Sequence, residues 1–142
     1  MASKIFLDAN ILLDLTLKRG GYDEAKAILD VVIGGRVHAF TTSSVIHIAG
    51  YYLTKAYGNK KAKDLLLGIL MDVTIIDLSH EMAIVALSSN LDDIEDSLQY
   101  FAAIHHKIDY FISQDKQLKK DSIPILPVLT PGEFIAAFEK IS

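Results

Sequence analysis

Asp8, Asp93, Asp96 and Asp115 are the residues whose type and setting point to chemistry. Asp8 stands where the apolar run Ile5-Phe6-Leu7 gives way to Ala9-Asn10-Ile11-Leu12-Leu13-Asp14. Asp115 closes the segment Tyr110-Phe111-Ile112-Ser113-Gln114, and Asp93 and Asp96 fall together in Asp92-Asp93-Ile94-Glu95-Asp96-Ser97. An acid at the C-terminal end of a strand opens onto the crevice where α/β domains hold their ligands. Carboxylates gathered within a few ångströms repel one another, and the usual remedy is a hard divalent cation with oxygen ligands, Mg²⁺ or Mn²⁺. Such a centre binds phosphate oxygens and activates water.

For these acids to meet, the chain must fold as alternating strands and helices. The patterning predicts a strand over residues 3–7, a helix over 9–18 and a second helix over Tyr22–Ile33, with Ala25, Ile28, Leu29 and Val32 on one face. It predicts a strand at Val37–Phe40 and hydroxyls at residues 41–44 that cap a helix reaching about Tyr57. A helix over about Lys60–Met71 and a strand at Val73–Ile76 follow. Ser79 opens a helix ending near residues 88–90, and Asp92 or Asp93 caps the next, which carries Ile94, Leu98, Phe101 and Ala102. A fourth strand is expected at Asp109–Ile112, a short turn through Lys120, a fifth strand at Ile125–Val128, and a last helix from Pro131. Short apolar strands separated by helices imply an α/β fold, a parallel sheet covered on both faces. If the first and fourth strands are neighbours, Asp8 and Asp115 converge at one edge. Asp93, Asp96 and Tyr100 share a helix face by spacing, with Gln99 nearby; that face is expected to look into the crevice, with Ile94, Leu98 and Phe101 turned to the core.

Composition narrows the class. At 142 residues, 51% apolar, with three prolines and no internal repeat, residues 1–142 are expected to form one domain. No run approaches the roughly 20 apolar residues that span a bilayer, and the N-terminus lacks a basic segment followed by an apolar stretch, so a cytoplasmic protein with no membrane partner is expected. The absence of cysteine excludes disulfides, thiolate metal sites and cysteine nucleophiles, leaving oxygen and imidazole as ligands. A net charge of −4 argues against a broad basic face but not a local one.

Three segments together resemble the PIN domain, a metal-dependent ribonuclease family that includes toxin subunits of bacterial toxin–antitoxin pairs of the VapC kind. They are the opening Asp8-Ala9-Asn10-Ile11-Leu12-Leu13-Asp14-Leu15, the central Asp93-Ile94-Glu95-Asp96-Ser97-Leu98-Gln99, and Ile112-Ser113-Gln114-Asp115 followed by a late strand and the Thr130-Pro131 helix start. The resemblance implies a single three-layer domain with a central five-stranded parallel sheet. It implies a catalytic, metal-holding centre of Asp8, Asp96 and Asp115, with Asn10, Asp93 and Ser113 in support. The expected activity is hydrolysis of RNA phosphodiesters, a bound cation activating water and neutralising the developing phosphorane charge. A small antitoxin and a homodimer are the partners it implies.

The chain departs from that pattern at one place. PIN nucleases usually carry another acid early in the helix after strand two, and here the stretch reads Ser43-Ser44-Val45-Ile46-His47-Ile48-Ala49-Gly50-Tyr51, with no acid between Asp30 and Asp64. The acid is expected near Ile48 or Ala49, and His47 is the only residue there able to ligate a metal. Fewer negative ligands weaken Mg²⁺ binding, and an imidazole favours Mn²⁺.

Plainer readings attach to the other polar residues. Asp92 and Glu95 suit a helix start, Asp14 a solvated helix face, and His105 and His106 the negative end of a helix dipole. Tyr51 and Tyr52 are expected to pack, and Lys116, Lys119 and Lys120, with Lys60, Lys61 and Lys63, to be solvated, although lysines beside Asp115 would suit a phosphodiester backbone. Two rival functions follow: a PIN-like domain that binds RNA or a protein without cutting, which the absent acid favours, and a phosphoryl-transfer or phospho-receiver domain. Asn10 and the lack of a Gly-rich phosphate loop count against the latter.

Overall fold

The strands are too short and too apolar to be half-solvated, and in the computed structural model they are not. The structure describes residues 2–141. Strand β1 (Ser3–Leu7) buries Ile5, Phe6 and Leu7 in succession, which requires cover on both faces of the sheet. The remaining strands are β2 (Val37–Thr41), β3 (Val73–Ile75), β4 (Tyr110–Ile112) and β5 (Val128–Leu129). All are parallel, in the order β3-β2-β1-β4-β5. The chain therefore builds outward from β1 to β3, then crosses back to lay β4 on the other side of β1. That reversal is the topological switch point, and the crevice beyond the strand ends lies between β1 and β4.

Helices α1 (Ala9–Thr16) and α2 (Tyr22–Ile33) join β1 to β2; α3 (Ser43–Tyr57) and α4 (Asn59–Ile69) join β2 to β3. Helices α5 (His80–Leu87) and α6 (Ile94–His105) make the return to β4, α7 (Lys116–Asp121) precedes β5, and α8 (Pro131–Ile141) closes the fold. Right-handed connections place α1 to α4 on one face and α5 and α6 on the other, because the direction along the sheet reverses between them. The packing agrees: α1 contacts α2 and α3, α3 contacts α4, and α5 pairs with α6. Side-chain oxygens of Asp8, Thr42, Ser79 and Asp93 each accept a first-turn backbone N–H of the following helix. At Gly58 the backbone takes φ 85° and ψ 167°, open only to glycine, so α3 turns directly into α4.

The structure corrects the elements after β4. The segment through Lys120 is a capped helix, α7, rather than a turn, because Asp115 Oδ1 accepts the backbone N–H groups of Gln117 (2.9 Å) and Leu118 (3.0 Å). The fifth strand begins at Val128, not Ile125; Ile125 is solvated, and the preceding loop is held by the Tyr100 hydroxyl, which donates to the Leu126 carbonyl at 2.6 Å and accepts the Ile123 N–H at 2.9 Å. Helix α6 turns a different face inward from the one its apolar residues predict. Ile94 is 66% exposed, while Ser97, Tyr100 and Ala103 are buried.

Candidate active site

The register of β1 against β4 sets the site. Phe6 pairs with Phe111 and Leu7 with Ile112, so one step further along brings Asp8 beside Ser113. The Phe6 and Phe111 rings stack at 4.7 Å, and Tyr100 of α6 packs on Phe111 at 5.6 Å. Side chains two apart on a strand share a face, so Asp8 and Ser113 project towards α6, as Phe6 and Phe111 do. One turn before Tyr100 on the same stripe of α6 comes Asp96. Asp96 and Tyr100 thus share a face as expected, but it is the sheet-facing one, with Tyr100 in the core and only Asp96 reaching the edge.

The Asp8 carboxylate is enclosed. It accepts the Ile11 N–H at 3.1 Å, and the Asn10 N–H and the Ser113 hydroxyl donate to it as well. Burial raises its pKa to about 6; those three hydrogen bonds pull it back, and the charge of Asp115 adds to the rise. Ser113 is fully buried and works in two directions, since its oxygen also accepts the Asp115 N–H at 3.0 Å. Asp96 is half-buried, and its pKa rises to about 7, first through burial, then through the charges of Asp93 and Asp115, a shared hydrogen bond with Asp115 and the charge of Glu95. Asp115 is therefore the acid that both others feel. Asp93 caps α6, its carboxylate accepting the Asp96 N–H at 2.8 Å.

Other expected residues sit differently. Asn10 is exposed and held by Arg19, whose Nη2 donates to both its carbonyl and its side-chain oxygen at 3.2 Å, while Arg19 Nε pairs with Asp14 at 2.9 Å. Asp14 is thus tied into an ion pair on α1. His106 caps the far end of α6, donating to the Asp77 carbonyl at 2.8 Å, and His105 lies beside it, about 14 Å along the helix from Asp96. His47 is exposed and lines a cleft of about 590 Å³ with Ser44, Ile48, Asp93, Ile94 and Glu95. Ala49 is wholly buried against Leu13, Leu53 and Ala62, so an acid at that position would meet core rather than crevice. Lys119 is taken up by Glu133, which in turn closes a capping box with Thr130 at 2.9 and 3.1 Å. The signal for that box, missing from the expectations above, is the Thr130-Pro131-Gly132-Glu133 spacing.

Among the described residues, no three Asp, Glu or His side chains close on a single point as finished metal ligands do. The donor set nevertheless suits a hard cation. Asp8, Asp96 and Asp115 offer oxygen only, and burial and mutual repulsion oppose the ionisation of Asp8 and Asp96 until a positive charge joins them.

A family profile described as PIN domain matches residues 4–117. The chain is similar to ribonuclease VapC1 of Aquifex aeolicus, with 26% identity over 138 residues and 94% of each chain covered. Among solved structures it resembles VapBC2 of Rickettsia felis bound to a DNA fragment from their promoter, with 17% identity, TM-score 0.67, and 89% of this chain and 98% of that one covered. It also resembles a toxin-antitoxin complex from Klebsiella pneumoniae, with 21% identity, TM-score 0.67 and 89% and 97% covered.

Proposed function

This chain belongs to the PIN-domain family, and from that premise we propose that it is a Mg²⁺- or Mn²⁺-dependent endoribonuclease, its whole length one PIN domain. The observation that carries the reading is the pair of acids whose ionisation is opposed, Asp8 and Asp96, each coupled to Asp115 at the switch-point edge. Asp8, Asp96 and Asp115 would hold the cation through carboxylate oxygens. Bound there, it supplies a lowered pKa for the attacking water and positive charge against the phosphate. Ser113 keeps the Asp8 carboxylate oriented and restrains the backbone of Asp115, and Asp93 fixes the helix end that presents Asp96. Asn10, anchored by Arg19, lends its backbone N–H to Asp8.

The similarity to a VapC ribonuclease and to toxin–antitoxin complexes supports a toxin role, with RNA as substrate and a small antitoxin as partner; a homodimer is our proposal for the working form. The cytoplasm is the proposed compartment; among the described residues no helix is long and apolar enough to cross a membrane. Asp8→Asn and Asp96→Asn are expected to abolish divalent-ion-dependent RNA cleavage while leaving the circular dichroism spectrum intact. Equal cleavage by wild type and both variants sinks the assignment.

A second reading, a PIN domain that binds RNA or protein without cutting, is favoured by one observation: the open spacing of the acids, with exposed His47 on the turn where the family's further acid is absent. No Mn²⁺ binding at millimolar concentration, together with no cleavage, would select it.

A further inference from the structure

The hairpin of α3 and α4 differs in character from the rest of the chain. It carries Lys55, Lys60, Lys61 and Lys63 against a single acid, Asp64, in a chain of net charge −4. Tyr51 and Tyr52, expected to pack, are 55% and 49% exposed and meet each other edge to face at 5.3 Å, and Tyr57 is 39% exposed with its hydroxyl donating to the Thr16 carbonyl. The Lys55 ammonium lies over the Tyr51 ring at 4.6 Å and that of Lys61 over the Tyr57 ring at 4.3 Å. His47, Tyr51 and Lys55 follow one another at single-turn spacing along α3, and with Lys63 of α4 they line a groove of about 500 Å³. His47 also lines the cleft that contains Asp93 and Glu95. Asp93 caps the helix that presents Asp96, so His47 stands where the groove meets the cleft at the N-terminal end of α6.

From this we infer that the α3–α4 ridge is a track for single-stranded RNA, leading the strand past His47 to the acid edge; the identity of the strand as RNA rests on the function proposed above. Solvated rings offer faces on which any base can stack, and ammonium groups beside them suit phosphates. An exposed cation–π contact is weaker than a base stack, so an arriving base displaces the lysine from the ring and frees it for the backbone. From His47 to Tyr57 the helix runs about 15 Å, enough for more than one nucleotide. Beyond His47 the carboxylates repel phosphate. Affinity therefore resides in the ridge and needs no cation, whereas cutting does.

Fluorescence anisotropy with a labelled single-stranded oligouridylate in EDTA separates the two. Wild type is expected to bind without metal. Lys55→Ala combined with Lys63→Ala should weaken binding at least tenfold and flatten the salt dependence of log K by up to about 1.4, at about 0.7 for each phosphate that is no longer neutralised. Tyr51→Ala should weaken it severalfold and Tyr51→Phe restore it, while Lys26→Glu on α2 changes little. Wild-type cleavage of RNA with Mn²⁺, joined to no metal-free binding or to unchanged binding by the ridge variants, overturns the track and leaves the nuclease reading standing. Ridge variants that keep RNA affinity but release a bound acidic protein overturn it in favour of a protein-docking surface. Absence of both binding and cleavage in wild type rejects the nuclease reading and the track together.

Discussion

A carboxylate whose hydrogen bonds only partly offset its burial makes the folded chain worse off as it ionises, and Asp8 is in that position. Its pKa in the folded chain is about 6 against an ordinary 3.8, and that of Asp96 is about 7. Between those limits the folded state holds protons that the unfolded chain has released, so the stability of the metal-free protein falls as pH rises from about 4 to about 7. Asn caps a helix as well as Asp does, so Asp8→Asn keeps the bond from the Ile11 N–H while it removes the charge and turns one acceptor oxygen into an amide donor. At pH 8 that variant is expected to be more stable than wild type by on the order of 3 kcal/mol, at about 1.4 kcal/mol per pKa unit, and at pH 4 to match it. Thermal melts at both values decide, and a destabilised variant at pH 8 contradicts the account. Cleavage by the wild type should run the other way and rise with pH over the same window, since protonated acids do not hold a cation.

At the scale of elements, the site depends on two connections between segments far apart in sequence. Ser113 joins the end of β4 to the end of β1 by donating to Asp8, which holds that acid's pKa down. Ser113→Ala removes the donor, so the midpoint of the cleavage pH profile is expected to move upward; an unmoved midpoint would show that Ser113 does not act on Asp8. Tyr100 joins α6 to the loop before β5 through the Leu126 carbonyl and the Ile123 N–H. Tyr100→Phe leaves a buried carbonyl without its donor, at a cost of about 1–3 kcal/mol in urea denaturation. Because the ring still packs on Phe111, the metal-dependent activity should survive. The capping residues at Thr42, Ser79 and Asp93 were legible in advance because each acts on the backbone three residues away. The inward face of α6 was not. Ile94 suggests one stripe, but the helix is set by Tyr100 and Ala103 against the sheet, and Ile94 is left over the cleft.

For the molecule as a whole, a cation that binds only the folded acids must stabilise the fold by mass action. At a hundred times its dissociation constant Mn²⁺ should contribute about 2.7 kcal/mol, raising the thermal midpoint of the wild type and not of Asp115→Asn. Equal shifts in both would place the ion elsewhere. The order of strands and helices as far as β4, and the caps at Thr42, Ser79 and Asp93, could be read from the sequence alone, because periodicity and capping are set by residues within a turn or two of one another; the helix capped by Asp115 and the Thr130–Glu133 box were not. Three things could not: that β1 lies between β2 and β4, that Tyr100 fills the core while Asp96 reaches the edge, and that the tyrosines of α3 stand in solvent. Each depends on what packs against a segment from far along the chain. Asp8 and Ser113 are 105 residues apart in sequence, and only the parallel register that follows Leu7 and Ile112 brings them together.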